Sequence, residues 1–169
     1  MKQTKLFLNA IESSMNQSLT EYLIPARKDT AELFSKEFSN IPELLNDIYT
    51  ECDGMTFDFF VGLKLMTSSE VIQTYRSGYH CLKEYGMQII PFMKDNVGNH
   101  MVYAKLKADE ELIAYVKGPK YYIVANSADK FWKLAIQLYS QNVYVYRDNY
   151  FSIDYEKLSK TFKELTNYD

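Results

Sequence analysis

The chain has 169 residues, of which 47% are hydrophobic and 15% aromatic, and its net charge is −3. That is enough length and apolar supply for one domain with its own core, built without a metal or a disulfide framework. No stretch approaches the roughly 18 consecutive apolar residues of a membrane span, and there is no internal repeat or low-complexity segment.

Cys52 and Cys81 are the only cysteines, and neither belongs to a CxxC pair. On apolar helix faces they read as small buried hydrophobes. Lys2 and Lys5 precede Leu6-Phe7-Leu8 as in an export signal, but Asn9 and Glu12 break the apolar run too early. The expected location is the reducing cytoplasm. Residues 1–60 carry ten acids against five bases, whereas the remainder carries twelve acids and fourteen bases. Phosphates need a basic surface, so the N-terminal part is not expected to bind nucleic acid. An acidic face would steer a basic protein partner toward it.

Leu8, Ile11, Met15, Leu19 and Tyr22 recur at helical spacing and predict an amphipathic helix over 5–22, ended by Ile24-Pro25. Phe34, Phe38 and Ile41 mark a second helix over about 29–39. A third has Pro42 in its first turn, Asn40 and Glu43 at capping-box spacing, and a face of Leu45, Ile48, Tyr49 and Cys52. Asp53-Gly54 is expected to stop it, with Gly as a left-handed cap.

Met55, Phe57, Phe59 and Val61 alternate with Thr56 and Asp58 and predict a strand, which Leu63–Met66 continues after Gly62. Thr67-Ser68-Ser69-Glu70 is a capping box opening a helix with Ile72, Tyr75, Tyr79 and Leu82 on its face and Gly86 at its end. An antiparallel meander follows: strands at 87–93, 100–107, 112–117 and 121–125, with turns at Asp95–Asn99, Asp109-Glu110 and Gly118-Pro119. Asn126-Ser127 caps a helix bearing Phe131, Leu134, Ala135 and Leu138; a short strand at 143–146 and a terminal helix with Tyr155, Leu158, Phe162 and Leu165 complete the chain. The expected fold is α+β: an antiparallel or mixed central sheet of five or six strands flanked by N- and C-terminal helices.

Three segments in this order resemble the SUKH superfamily, which includes the Smi/Knr-like cell-wall assembly regulators of fungi. They are the Ile41-Pro42 helix running through Leu44-Leu45 and Ile48-Tyr49 to Asp53-Gly54, the strand-to-helix segment at 63–70, and Ile89-Ile90-Pro91-Phe92-Met93-Lys94-Asp95-Asn96-Val97-Gly98-Asn99-His100 leading into Met101-Val102-Tyr103. The likeness covers roughly residues 28–140, with 1–27 as a helical extension and 141–169 as a C-terminal strand and helix of the same single domain. It departs from the family pattern at Asp53, where Asn is usual, and at Asn99, where Asp is usual. The resemblance implies a mixed sheet wrapped by helices. It also implies an immunity protein that binds and silences a toxin made by kin, often a nuclease or deaminase.

The residues themselves offer weak chemistry. Adjacent His80 and Cys81 point about 100° apart on a helix, so His80 is no base for Cys81. A hydrolase built on Cys81, His100 and Asp95 would need a proximity that the sequence does not display. Two distant histidines and two distant cysteines have no metal-ligand spacing, and no cofactor is expected.

The expectation is therefore a non-enzymatic binding protein, monomeric or weakly dimeric. Its partner would be a cognate toxin whose active site it occludes, or it would serve as a scaffold of the Smi/Knr type. Candidate contacts are the acids Glu43, Asp47, Asp53 and Asp58, the hairpin residues Phe92, Asp95 and Asn99, and the tail residues Tyr144, Tyr146 and Arg147. Tyr and Arg are favoured at interface hot spots. Turn chemistry alone also accounts for Asp95, Asn96 and Gly98.

Overall fold

The computed structural model describes residues 2–60, 62–78, 86–106, 110–148 and 150–166. Helix α1 (Gln3–Met15) is shorter than its apolar periodicity suggests. Asn16 adopts the left-handed conformation at φ 53° and stops it, a conformation that Asn tolerates better than most residues. The Glu12 carboxylate then accepts the Leu19 N–H at 2.8 Å and braces the turn. Leu19 stays buried without being helical, and Leu23–Pro25 becomes a strand, β1. The expected helix over 5–22 is thus a helix, a turn and a strand edge. Phe7, Leu8, Ile11 and Met15 of this segment are buried in the main core.

Helix α2 (Thr30–Glu37) forms where expected. Helix α3 (Glu43–Glu51) forms too, but Pro42 stands at its N-cap and no side chain caps it, so the Asn40–Glu43 box is absent. At its other end Cys52 is already extended, with φ −156°. Asp53-Gly54 therefore belongs to β2 (Cys52–Met55), which pairs antiparallel with β1, and not to a helix cap.

The strand expected over 55–61 ends at Met55. Phe59 and Phe60 are both buried, which strict alternation forbids, and Phe60 closes a tight loop by bridging to Leu63. Val61 lies outside the described residues. Strand β3 (Lys64–Leu65) follows, then α4 (Ser68–Ser77). The capping box of α4 is complete: Glu70 N–H donates to Thr67 Oγ1 at 3.2 Å, and Thr67 N–H donates to Glu70 Oε2 at 2.8 Å. This helix ends at Gly78, φ 76°, and Gly86 begins a strand rather than closing the helix. The expected helical turns at 79–85 lie outside the described residues.

Strands β4 (Gly86–Lys94), β5 (His100–Leu106), β6 (Glu111–Lys117) and β7 (Lys120–Ala125) complete the expected meander. With β3 they form a five-stranded antiparallel sheet in the order β3-β4-β5-β6-β7. Pro91 sits in β4, and the register shifts directly after it, between Pro91 and Met93. A bulge accommodates a residue that lacks a ladder donor. Met101, Tyr103 and Ile113 face the main core, whereas Val102, Ala104, Ala114 and Val116 form a smaller cluster on the opposite side.

Helix α5 (Ala128–Ser140) is capped by Ser127, whose hydroxyl accepts the Lys130 N–H at 3.2 Å. It packs against α1. The C-terminal part holds more strand than its sequence suggests. Strands β8 (Tyr144–Arg147) and β9 (Tyr150–Ile153) make a hairpin, with Asp148 left-handed at φ 50°, before α6 (Tyr155–Thr166). The class is α+β, as the grouping of helices and sequential strands predicts.

Candidate functional site: an aromatic cleft between two hairpins

Rings from three separated segments meet on one surface. Phe57 follows β2, and its ring centroid lies 5.1 Å from that of Tyr22, which leads into β1. Phe57 also lies 6.0 Å from Phe151 and 6.3 Å from Tyr146, and those two are 5.1 Å apart. All four rings are half-buried. Tilted ring pairs at such distances contribute about 0.5–1.5 kcal/mol each beyond their burial. Gln17 Nε2 donates to the Tyr146 hydroxyl at 3.3 Å. The adjacent Tyr146 hydroxyl and then partial desolvation raise the pKa of Tyr22, so this phenol stays neutral.

The platform borders a cleft of about 350 Å³ lined by Phe57, Asp58, Lys64, Asn96, Tyr150 and Phe151, among others. Asn96 comes from the β4–β5 turn and donates from Nδ2 to Asp58 Oδ2 at 3.3 Å. Tyr150 begins β9 and is 56% exposed. The cleft thus joins the hairpin turn to the aromatic tail through the loop after β2. Concave, aromatic-lined surfaces with a few oriented polar groups are the usual form of binding sites.

The candidate acids do not form one face. Asp53 is 4% exposed, and its Oδ1 accepts the Ser68 N–H at 2.9 Å at the start of α4. It is a buried structural group, out of reach of a partner. Asp47 Oδ2 accepts both the N–H and the hydroxyl of Thr4, at 2.9 and 3.0 Å, in the first turn of α1. Glu43 is exposed and lines, with Asp47, Lys2, Asp129 and Trp132, a separate cavity of about 480 Å³. Only Asp58 belongs to the aromatic cleft.

The hairpin residues divide in the same way. Phe92 is fully buried and packs edge-on to Phe131 at 5.6 Å, so it offers nothing to a partner. Asp95 Oδ1 accepts the N–H groups of Val97 and Asn99, both at 2.9 Å, and Oδ2 accepts Asn99 Nδ2 at 2.6 Å. Burial raises the Asp95 pKa, but these donors outweigh it and hold the carboxyl below its ordinary value. Asp95 and Asn99 therefore build the turn that carries Asn96. In the tail, Tyr144 is 1% exposed and belongs to the core, where it also backs the cleft; Tyr146 is half-buried in the ring platform, and Arg147 is exposed at the end of β8.

The Cys52 thiol is buried, which pushes its pKa up to about 11 and leaves it protonated at neutral pH. Burial lowers the pKa of His100. Cys81 lies outside the described residues. Among the described residues no group of three or more His, Cys, Asp or Glu is placed to hold a metal, and no helix is long and apolar enough to cross a membrane. Tyr22 and Phe57 were not legible as site residues, because nothing local in sequence links them to Tyr146 and Phe151. No family model and no curated protein matches the chain.

Proposed function

We propose that this protein binds another protein through the aromatic cleft and is an immunity factor of the cytoplasm. The observation that carries the reading is the half-buried platform of Tyr22, Phe57, Tyr146 and Phe151 leading to exposed Tyr150. The platform is held by core-anchored elements, so little side-chain freedom is lost on binding. Asp58 on the cleft wall and Arg147 at the end of β8 supply the polar contacts that aromatic anchors need around them. The SUKH-like motifs supply the partner class: a cognate toxin, a nuclease or deaminase whose active site or substrate path is covered. The second reading keeps the same surface for a non-catalytic scaffold of the Smi/Knr type.

Co-expression with the neighbouring open reading frame tests the proposal. A toxic product neutralised by this chain, with protection lost in Tyr150→Ala and Arg147→Ala variants of unchanged melting temperature, supports it. A product that is harmless, or one that kills in the presence of the chain, overturns the immunity reading.

A further inference from the structure

Strand β7 closes the meander on one side, and among the described residues no strand pairs with its outer edge. Its sequence, Lys-Tyr-Tyr-Ile-Val-Ala, contains one charge and neither Pro nor Gly. Tyr122 is 53% exposed and Ile123 43%. An edge of this kind presents unpaired backbone donors and acceptors, which natural proteins usually blunt with charge, Pro or a bulge. Here the register shift falls between Ile113 and Ala114, opposite Val124, so Lys120–Ile123 stays regular.

The two ends of the β6–β7 hairpin differ in charge. Lys117 and Lys120 flank its turn and are exposed. Glu110, Glu111 and Asp129 gather at the opposite end, where Glu111 Oε1 accepts the Ala128 N–H at 2.7 Å. Lys130 and Lys105, the register partner of Glu111 in β5, offset two of these three acids, so this end keeps a net excess of one acid against the two lysines at the turn.

We infer that β7 pairs antiparallel with β7 of a second copy of this chain, joining two five-stranded sheets. The two-fold symmetry of such a pair lays each basic end on the acidic end of the copy. Parallel pairing would set Lys over Lys and acid over acid. A register centred on Tyr122 places its ring against its symmetry mate and sets each Tyr121 against the copy's Ile123, which are favourable cross-strand partners. The pairing is independent of the aromatic cleft, and its failure leaves the proposed function untouched.

Sedimentation velocity from micromolar to near-millimolar concentration tests the inference. The wild type is expected to shift from monomer toward dimer, more readily at low salt. Ile123→Lys is expected to remain monomeric with an unchanged circular dichroism spectrum. Lys120→Glu and Asp129→Lys should each weaken self-association, while an equimolar mixture of the two restores a dimer, because both ends of the mixed pair are then complementary. That charge exchange keeps the test decisive even if Ile123→Lys fails to fold. A wild type that stays monomeric throughout overturns the inference, as does a dimer indifferent to the Lys120 and Asp129 exchanges.

Discussion

The Tyr139 hydroxyl donates a hydrogen bond to the Phe59 carbonyl oxygen across 80 positions of sequence. Both residues are buried, at 2% and 1% exposure. Burial raises the Tyr139 pKa well above its ordinary value, so the phenol remains a donor at any working pH. This bond ties α5 to the loop that presents Phe57 and Asp58, and so holds one wall of the cleft.

Tyr139→Phe keeps the ring contacts but leaves the Phe59 carbonyl buried without this donor. A destabilisation of about 1–3 kcal/mol is expected, the usual cost of an unsatisfied buried polar group. Urea unfolding followed by circular dichroism measures it. A change below about 0.5 kcal/mol would show that the loop does not depend on the bond.

Gly54→Ala should be as damaging for a different reason. Gly54 has φ 108°, and an added Cβ would lie 3.0 Å from Met66 C, Met66 O and Thr67 N. These are backbone atoms and cannot rotate away. The substitution is expected to cost about 1–3 kcal/mol from backbone strain alone, with the forced displacement of the Met66–Thr67 backbone adding to that. Gly98→Ala is the comparison. Its φ of 88° is also strained, but a Cβ there meets nothing within 4 Å, so its cost should be smaller in the same denaturation assay.

Stability should fall on acidification in two stages. His100 has a pKa below its ordinary value of 6.5 because burial disfavours its charged form. The unfolded chain therefore takes up the His100 proton first, and stability declines as pH drops below about 6.5. Burial raises the Glu70 pKa, but the Lys94 ammonium at 2.6 Å and the Thr67 donors outweigh it and hold the carboxyl below its ordinary value of 4.5. Its stabilisation is complete above that value and disappears as pH falls through the lower folded pKa. Glu70→Gln should be less stable at pH 7 and lose less stability between pH 5 and 3. Unfolding free energies measured from pH 7 to 3 check both limbs. An identical acid slope in the variant would contradict the Glu70 assignment.

Much of the fold was legible locally. The Thr67–Glu70 box capped α4 because both partners lie within one turn, and the meander followed from alternation broken by Asp95–Asn99 and Gly118-Pro119. The Asp95 turn formed from donors at most four residues away. Where expectation and structure part, a long-range contact overrode a local signal. Tyr22 fits a helical stripe, but Asn16 ends α1 and β2 recruits Leu23–Pro25 as a partner strand. Phe59 and Phe60 break alternation because both are swallowed by one core, against Phe7 on one side and Phe131 on the other.

Sequence alone determined the class of the protein, its central hairpins and its wealth of tyrosine and phenylalanine, since these follow from composition, period and turn chemistry. Only the tertiary structure decided which rings share a surface, which acids are capping groups and which face solvent. Asp53 and Asp58 are five positions apart, yet one is sealed against the start of α4 and the other stands on the cleft wall. Burial and proximity depend on how distant segments pack, and no local pattern encodes that packing.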